Sequence, residues 1–239
     1  MWPTYAWQRL GGGTQMPYEQ QKSILVQACR ILQDEGLLDG FGHITCRVEE
    51  NLILSTPKMP PGFVTETEIL HLDLSGRKLM GDAPTNAETP LHLAIYEKRT
   101  DVSCIVHYHP AAVIALTIIG EEVLPVCNEG AYFCEGTPIY DEPSLITTME
   151  KGRAVADVLG GKQVVLLRGH GAIVVGEEMK QLCRLAVSLE KTARIQIMAE
   201  SVGSLKCHSL KEARELKAVE ETEGALKRFW AYYEKKLNF

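Results

Sequence analysis

The sequence predicts a mixed α/β domain in which helices pack on the faces of a central β-sheet. Segments with helical apolar spacing interleave with short β-prone runs along the chain, which is the pattern of a sheet covered by helices. No internal repeat and no linker divides the 239 residues, which are enough for one substantial core. We therefore expect a single domain at residues 16–239. Residues 1–15 contain three consecutive glycines and no apolar period, which predicts a disordered tail.

Helix boundaries are indicated by caps, prolines and glycines. The segments from Thr65 to Glu68 and from Thr85 to Glu88 both match a capping box, in which a threonine and a glutamate satisfy backbone groups of the first turn. Prolines suit the first turns of several helices, and glycines follow their last turns. We expect a short helix opening at Thr65 and longer ones at residues 18–35, 85–99, 110–120, 143–159, 178–202 and 209–237.

Strands are indicated by short runs of β-branched and other apolar residues. The first two runs flank Glu50 and Asn51 and predict a hairpin. We expect strands at residues 43–48, 52–55, 71–74, 103–109, 123–126, 163–167 and 172–175.

Composition argues against several classes of protein. A formal net charge of −6 without a basic stripe argues against nucleic-acid binding. No apolar run reaches the roughly 18 residues that a membrane span needs, and the amino terminus does not resemble a signal peptide. The seven cysteines are scattered and include no Cys-x-x-Cys pair, which favours a reducing environment. We therefore expect a cytoplasmic protein without nucleic-acid or membrane partners.

Three histidines form the clearest candidate site. His107 and His109 alternate at the end of a predicted strand, so their side chains project from the same face. His170 stands between two glycines after another strand, where small neighbours permit a close approach. Neutral imidazoles are standard ligands of zinc and neighbouring transition metals, and three of them leave coordination positions open for substrate. The alternative is that these are structural histidines satisfied by hydrogen bonds, with His170 in a simple tight turn.

Glu88 has two interpretations. As the last residue of the second capping box it would bond back to Thr85. As an acid at a helix start, it would instead be a fourth metal ligand or a general base. It cannot fill both roles at once.

The order of these motifs resembles the class II aldolase/adducin superfamily. The matching segments are Ala87-Glu88…Leu91-His92…Ile95-Tyr96, then Val106-His107-Tyr108-His109-Pro110, then Leu166-Leu167-Arg168-Gly169-His170-Gly171. The resemblance covers essentially residues 18–237. It implies a central, mainly antiparallel sheet flanked by helices on both faces, a three-layer sandwich. It also implies a homotetramer with active sites at subunit interfaces.

The resemblance also implies roles for particular residues. In this family the histidines that match His107, His109 and His170 bind zinc or manganese, and the glutamate that matches Glu88 lies beside the metal. We therefore expect one divalent ion per subunit, with iron or cobalt also suited to this donor set. A tyrosine near the carboxyl terminus of such proteins can reach a neighbour's active site as an acid. This makes Tyr232 and Tyr233 candidates, although aromatic residues at such spacing also pack a helix onto the body of a protein.

Two segments separate the branches of the family. Sugar-phosphate aldolases and epimerases of this type hold the phosphate with a Gly-Asn-x-Ser-like turn and a pair of serines before the catalytic glutamate. Here the first segment reads Gly42-His43-Ile44-Thr45 and the second reads Asn86-Ala87. Since Ala87 has no hydroxyl and His43 is bulkier than asparagine, the resemblance predicts that the phosphate cradle is dismantled.

The segment from Gly42 to Arg47 resembles instead a branch of metal-dependent decarboxylases of hydroxylated aromatic or pyridine carboxylates, as do residues 139–143 and 167–171. His43, Arg47 and Asn86 are then candidate substrate-binding residues, and Arg47 offers two parallel donors to a carboxylate. The alternative for Arg47 is a solvated surface charge.

The expected function is that of a divalent-metal-dependent carbon–carbon lyase, which decarboxylates a hydroxylated aromatic or heteroaromatic (di)carboxylate. Glu88 or His43 would manage the proton that replaces carbon dioxide. One alternative is a class II aldolase or epimerase acting on a sugar phosphate. Another is a non-enzymatic, adducin-like structural module, a branch in which we would expect the ligand histidines to be lost.

Overall fold

Apolar side chains from most of the strands pack on both faces of one eight-stranded sheet. The computed structural model describes residues 18–239, so the tail expected at residues 1–15 lies outside the described residues. The strands are β1 His43–Glu49, β2 Leu52–Ser55, β3 Leu70–Leu72, β4 Lys78–Met80, β5 Cys104–Tyr108, β6 Ile139–Tyr140, β7 Val164–Leu167 and β8 Gly171–Gly176. They run in the order β4-β3-β2-β1-β5-β8-β7-β6, and every neighbouring pair is antiparallel except β6 and β7.

Helices cover the sheet on both sides and complete three layers. The α-helices are α1 Glu19–Asp34, α2 Thr89–Lys98, α3 Ala111–Ile118, α4 Met149–Leu159, α5 Met179–Glu200, α6 Leu210–Glu220 and α7 Glu223–Leu237. Three short 3₁₀ helices lie at Pro61–Phe63, Glu66–Glu68 and Glu129–Phe133. One core lies between the sheet and helices α2 and α4, and the other lies between the sheet and helices α1, α3, α5 and α7. The predicted three-layer sandwich with a mainly antiparallel sheet is confirmed.

The alternation of side chains along β5 directs His107 toward helix α2. Val106 belongs to the core beneath α1, α3 and α5, whereas Ile105 belongs to the core beneath α2 and α4. His107 is two residues from Ile105 and therefore shares its face. β1 pairs with β5 so that His43 stands opposite His107. Both rings consequently lie on the α2 side of the sheet.

The strand expected at residues 123–126 is wrong. The backbone N–H of Val123 donates to Thr137 Oγ1 at 2.9 Å, and the N–H of Leu124 donates to Gln196 Oε1 at 2.9 Å. Because side chains take these backbone donors, this segment pairs with no strand among the described residues.

The helix expected at residues 143–159 begins later than predicted. α4 starts at Met149, and Thr148 caps it by accepting a hydrogen bond from the N–H of Lys151 at 3.3 Å. The preceding residues form an irregular loop with Ile146 buried in the core beneath α2. This loop reaches the candidate site.

The single long helix expected at residues 209–237 is divided into α6 and α7. The carbonyl of Glu220 accepts hydrogen bonds from Tyr132 Oη at 3.0 Å and from an Arg184 guanidinium nitrogen at 2.7 Å. Thr222 then caps α7 through a bond from the N–H of Ala225 at 3.4 Å. Since the carbonyl at the end of α6 is hydrogen-bonded to α5 and to the 3₁₀ helix Glu129–Phe133, the chain turns here although its apolar period continues.

A buried carboxylate fixes the turn from β5 into α3, immediately after His109. Glu190 of α5 is only 3% exposed, and its Oε2 accepts from the N–H groups of Ala112 and Val113 at 3.0 and 3.2 Å. Arg194 donates to the other carboxylate oxygen at 2.7 Å. These bonds satisfy the free N–H groups of α3, whose first residue follows Pro110 and has no side-chain cap of its own.

Replacing Glu190 with alanine should therefore destabilise the fold. The change leaves two buried N–H donors unpaired, so we expect the free energy of unfolding to fall by about 1–3 kcal/mol. Urea unfolding followed by circular dichroism at fixed protein concentration measures this. Glu215→Ala removes an exposed glutamate of a surface pair on α6 and should change stability by less than about 0.5 kcal/mol. Equal effects of the two substitutions would contradict the capping role.

Candidate metal centre

Four side chains from three chain segments converge at the ends of the central strands β5 and β8. Imidazole nitrogens of His107, His109 and His170 lie within 4.8 Å of one another. Glu88, at the start of α2, places its Oε2 3.5 Å from His107 Nε2 and 3.8 Å from His170 Nε2. The structure thus brings together all four residues that the sequence proposes as metal ligands.

Glycine at position 171 permits this convergence. A Cβ atom on Gly171 would lie 2.3 Å from the carbonyl oxygen of Tyr108 and 3.0 Å from the ring of His109. Any other residue would push β8 away from β5 where His109 and His170 meet. Gly169, with φ +65°, makes the turn before His170, and its N–H donates to Thr117 Oγ1 of α3 at 3.0 Å. The turn at 168–171 is therefore tight, as expected, and also holds His170 in the cluster.

His107 has the hydrogen-bond pattern of a metal-ligating imidazole. Its Nδ1 lies 3.2 Å from the carbonyl oxygen of Ala172 and donates to it, which leaves the lone pair on Nε2. Nε2 is buried and has no hydrogen-bond partner within residues 18–239. Burial, followed by the neighbouring His43, lowers the pKa of His107 well below its ordinary value of 6.5. A neutral ring with an unpaired, buried lone pair fits a divalent metal.

Glu88 points into the cluster and does not cap α2. The helix begins at Thr89, and the Glu88 side chain makes no capping bond; its Oε1 accepts instead from the N–H of Ile146 at 2.8 Å. The capping box expected from Thr85 is therefore wrong, because the N–H of Ile146, in the loop before α4, holds the carboxylate away from the backbone of the first turn.

His43 joins this cluster from β1. Its Nε2 lies 3.9 Å from Glu88 Oε2, beyond hydrogen-bond length, and its Nδ1 lies 2.9 Å from His92 Nε2. His43, Glu88 and His107 also place one donor atom each within 4.8 Å of the others. The prediction that His43 belongs to the site agrees with this placement.

The sequence does not by itself point to three residues behind His43. Thr45 Oγ1 lies 2.7 Å from His92 Nδ1 and 2.9 Å from Tyr96 Oη, and all three side chains are buried. The available signal is spacing: Glu88, His92 and Tyr96 stand four residues apart and share one face of α2. Without the packing of α2 on β1, this spacing does not separate a site from a core.

The structure does not bring Arg47 into the site. It is 8% exposed; one guanidinium nitrogen donates to the carbonyl of Tyr96 at 2.7 Å, and the guanidinium carbon lies 4.5 Å from the centre of the Tyr96 ring. Arg47 is four positions after His43 in β1, which is a distance of about 13 Å along the strand. The surface-charge interpretation is wrong, and Arg47 lies at the carboxyl end of α2 instead of beside Glu88.

Asn86 lies close to the site but its amide is engaged. The side-chain Nδ2 of Asn86 donates to the backbone carbonyl of Thr56 at 2.9 Å. The backbone carbonyl of Asn86 accepts from Thr89 Oγ1 at 2.7 Å. Asn86 therefore ties the start of α2 to the end of β2, two residues before Glu88.

The carboxyl-terminal tyrosines lie across the sheet from the cluster of their own chain. Tyr233 is buried, and its hydroxyl donates to Glu35 Oε1 at 2.7 Å; burial, followed by this glutamate, raises its pKa far above the ordinary range. Tyr232 is 56% exposed. Tyr233 thus serves to pack α7 onto the body, and Tyr232 is the exposed one of the two.

Comparison with known proteins identifies the family of this chain. The domain described as Class II Aldolase and Adducin N-terminal domain matches residues 23–197. The chain belongs to the class II aldolase and adducin family. The resemblance seen in the motifs is thereby confirmed.

Individual relatives cover most of the chain. The chain is 30% identical over 199 residues to a 3,4-dihydroxyphthalate decarboxylase from Arthrobacter keyseri. This alignment covers 76% of this chain and 79% of the relative. It is 27% identical to an L-fuculose phosphate aldolase from Methanocaldococcus jannaschii, over 74% of this chain and 96% of the relative. An aldolase II superfamily protein from Pseudomonas syringae has the same fold, with a TM-score of 0.83 at 21% identity over 94% of each chain.

The donor set predicts one tightly bound divalent ion per chain. Protein purified without chelator should contain about one equivalent of metal by elemental analysis. His109→Gln should weaken zinc affinity by more than about 100-fold, since losing a second-shell partner alone costs about 10–100-fold. His208→Gln, a histidine in the connection between α5 and α6, is the matched control. Metal retained by the His109 variant at the level of the control would contradict this site.

Buried neutral histidines predict a particular pH dependence of stability in metal-free protein. Burial, followed by the neighbouring His43, lowers the pKa values of both His92 and His107 well below 6.5. The unfolded chain therefore binds more protons than the folded one below pH 6.5, and the stability that is present above this pH is lost as the pH falls. We expect a loss of about 1.4 kcal/mol per pH unit for each of the two histidines. Urea unfolding of chelator-treated protein between about pH 7.5 and about pH 5.5 measures it, and a flat profile would contradict it.

Proposed function

We propose that this protein is a divalent-metal-dependent carboxy-lyase that acts on a hydroxylated aromatic or heteroaromatic dicarboxylate. The observation that carries the proposal is the cluster of His107, His109, His170 and Glu88 with His43 facing it. The names of relatives support the lyase class, since both decarboxylases and an aldolase are lyases that break a carbon–carbon bond. Decarboxylases of 3,4-dihydroxyphthalate from three organisms are 27–30% identical to this chain.

The segments that differ from the sugar-phosphate branch support decarboxylation. The hydroxyl of Thr45, at the position of the serine in the phosphate-binding turn, is directed at His92 and Tyr96. Asn86 is bonded to Thr56, and Ala87 has no hydroxyl. The side chains at these positions are therefore engaged elsewhere or lack a donor for a phosphate.

The residues of the cluster suit this chemistry. His107, His109 and His170 would hold the ion, with Glu88 as a fourth ligand or as an acid/base beside it. Bound there, zinc or manganese supplies Lewis acidity that stabilises negative charge on a substrate oxygen, a contribution of several kcal/mol. Iron and cobalt fit the same donors. Glu88 or His43 would deliver the proton to the carbon that loses carbon dioxide.

Two further properties belong to this proposal. The chain works as a homotetramer, in which Tyr232 from α7 meets the active site of a neighbouring subunit. It acts in the cytoplasm, which the scattered cysteines without a Cys-x-x-Cys pair favour. Separately, no helix among residues 18–239 is both long and apolar enough to cross a membrane.

A class II aldolase acting on a sugar phosphate is the second candidate. The Methanocaldococcus jannaschii relative named as an L-fuculose phosphate aldolase supports it, because it matches over 96% of its own length. An adducin-like structural role is disfavoured, because all three histidines and Glu88 are present and converge.

A substrate panel tests the proposal. Hydroxylated aromatic and pyridine dicarboxylates, including 3,4-dihydroxyphthalate, are incubated with protein loaded with manganese or zinc, and carbon dioxide release is measured. We expect metal-dependent release from at least one acid. Glu88→Gln should lower the rate by about 10²–10⁴-fold, while Glu215→Gln on the surface of α6 should not change it.

The same protein assayed with ketose phosphates distinguishes the alternatives. Aldol cleavage without any release of carbon dioxide would contradict decarboxylation and favour the second candidate. A metal-loaded chain that is inert in both assays would favour the structural module.

A further inference from the structure

A continuous row of buried polar groups runs from the end of β1 to the candidate metal centre. Tyr96 Oη lies 3.2 Å from the carbonyl oxygen of Ser103 and 2.9 Å from Thr45 Oγ1. Thr45 Oγ1 lies 2.7 Å from His92 Nδ1, and His92 Nε2 lies 2.9 Å from His43 Nδ1. His43 Nε2 ends the row and faces Glu88.

The contact with Ser103 indicates the direction of the bonds in this row. The carbonyl of Ser103 accepts from the Arg47 N–H at 2.6 Å and, with its second lone pair, from Tyr96 Oη at 3.2 Å. With the single proton of Tyr96 directed at Ser103, Oη accepts from the Thr45 hydroxyl, and Thr45 Oγ1 accepts from His92 Nδ1–H. A neutral imidazole carries one N–H, and the complete burial of His92 keeps it neutral by lowering its pKa. His92 Nε2 is consequently an acceptor, and His43 Nδ1–H donates to it.

His43 Nε2 therefore carries a lone pair and no proton when His43 is neutral. The contacts agree with this assignment, because Nε2 is buried, lies 3.9 Å from Glu88 Oε2 and has no hydrogen-bond partner in the part of the chain that the structure describes. A proton on Nε2 would be expected to draw the adjacent carboxylate into a hydrogen bond of about 2.7–2.9 Å.

We propose that Tyr96, Thr45 and His92 are positioning residues, which hold His43 as its Nδ1–H tautomer so that Nε2 serves as the proton acceptor and donor of the active site. This develops the expectation that Glu88 or His43 manages the proton that replaces carbon dioxide, and it assigns that role to His43. It resembles the way in which a hydrogen-bonded partner orients a catalytic imidazole in hydrolases. Arg47 supports the row from behind, since its guanidinium lies over the Tyr96 ring.

The chemical step assigned to His43 rests on the proposed decarboxylation. Nε2 takes the proton of the substrate hydroxyl. The bond to the carboxylate carbon breaks, carbon dioxide leaves, and the electron pair stays on the ring carbon. That carbon takes the proton from Nε2, and the substrate oxygen recovers one from solvent. One solvent proton thus replaces carbon dioxide, and His43 returns to its neutral Nδ1–H form.

Nitrogen NMR reads the tautomer directly and needs no substrate. The full chain is labelled with ¹⁵N-histidine and loaded with zinc, and the ring nitrogens are observed at neutral pH through long-range proton correlations, with His43→Gln used for assignment. We expect a protonated Nδ1 and a bare Nε2 at His43, and the same at His92. The chelator-treated protein should give the same result, because the row does not depend on the ion. A proton on His43 Nε2, or a zinc-induced coordination shift there, would overturn the proposal.

Variants of Thr45 test positioning against packing. Thr45→Val keeps the shape but removes the hydroxyl, so we expect loss of the single tautomer at His43. We also expect a fall in kcat of about 10–100-fold, the range typical of second-shell partners, with KM unchanged. Thr45→Ser restores the hydroxyl and should restore both readouts. Thr137→Val removes another buried hydroxyl, which accepts from the Val123 N–H at 2.9 Å, and should leave the His43 tautomer unchanged.

The two sets of measurements separate the two proposals. A wild-type tautomer other than Nδ1–H, or a Thr45→Val spectrum equal to that of wild type, would overturn the positioning role whatever the substrate is. The expected tautomers in a chain that releases no carbon dioxide from any acid would leave the row intact and contradict only the decarboxylation.

Discussion

The register between helix α2 and strand β1 is the constraint on which the rest of the site depends. Four residues of an α-helix rise about 6 Å, and two residues of a strand rise about 6.7 Å. Glu88, His92 and Tyr96 can therefore follow His43, Thr45 and Arg47 step by step, and the observed contacts do so. The two elements share a continuous polar seam inside an otherwise apolar layer.

The hydrogen bonds within this seam explain why its polar groups can be buried. The hydroxyls of Tyr96 and Thr45 and both ring nitrogens of His92 have partners. The lone pairs of His43 and His107, which face the candidate metal centre, have no hydrogen-bond partner within residues 18–239. Because unsatisfied buried groups are costly, two of them side by side with a carboxylate indicate a ligand that supplies the missing interaction. The pairing of His43 with His107 across β1 and β5 sets the distance between His43 and the candidate metal site. Glu88 lies between the two.

The sequence predicted the parts of the site that depend on local rules. Strand alternation placed His107 and His109 on one face, and the glycines around His170 indicated a close approach of chain segments, which Gly171 makes against Tyr108. Glu88 could not be assigned from local rules, since its position fits a capping box and only the loop at Ile146 and the histidines draw it inward. The role of Arg47 depends on the packing of α2, and the break after Glu220 depends on Arg184 and Tyr132. His92, Thr45 and Tyr96 require the register between two elements that lie far apart in sequence, and no local pattern contains that information.

The metal centre proposed for this protein holds a divalent ion on three imidazoles beside the Glu88 carboxylate. X-ray absorption on zinc-loaded protein reports the atoms bound to the metal and so examines this assignment without a substrate. We expect nitrogen and oxygen donors only, with three imidazoles at about 2.0–2.1 Å and oxygen at about 2.0–2.2 Å. Sulfur donors at about 2.3 Å, or a shell of oxygen alone, would place the ion elsewhere and rule out this centre.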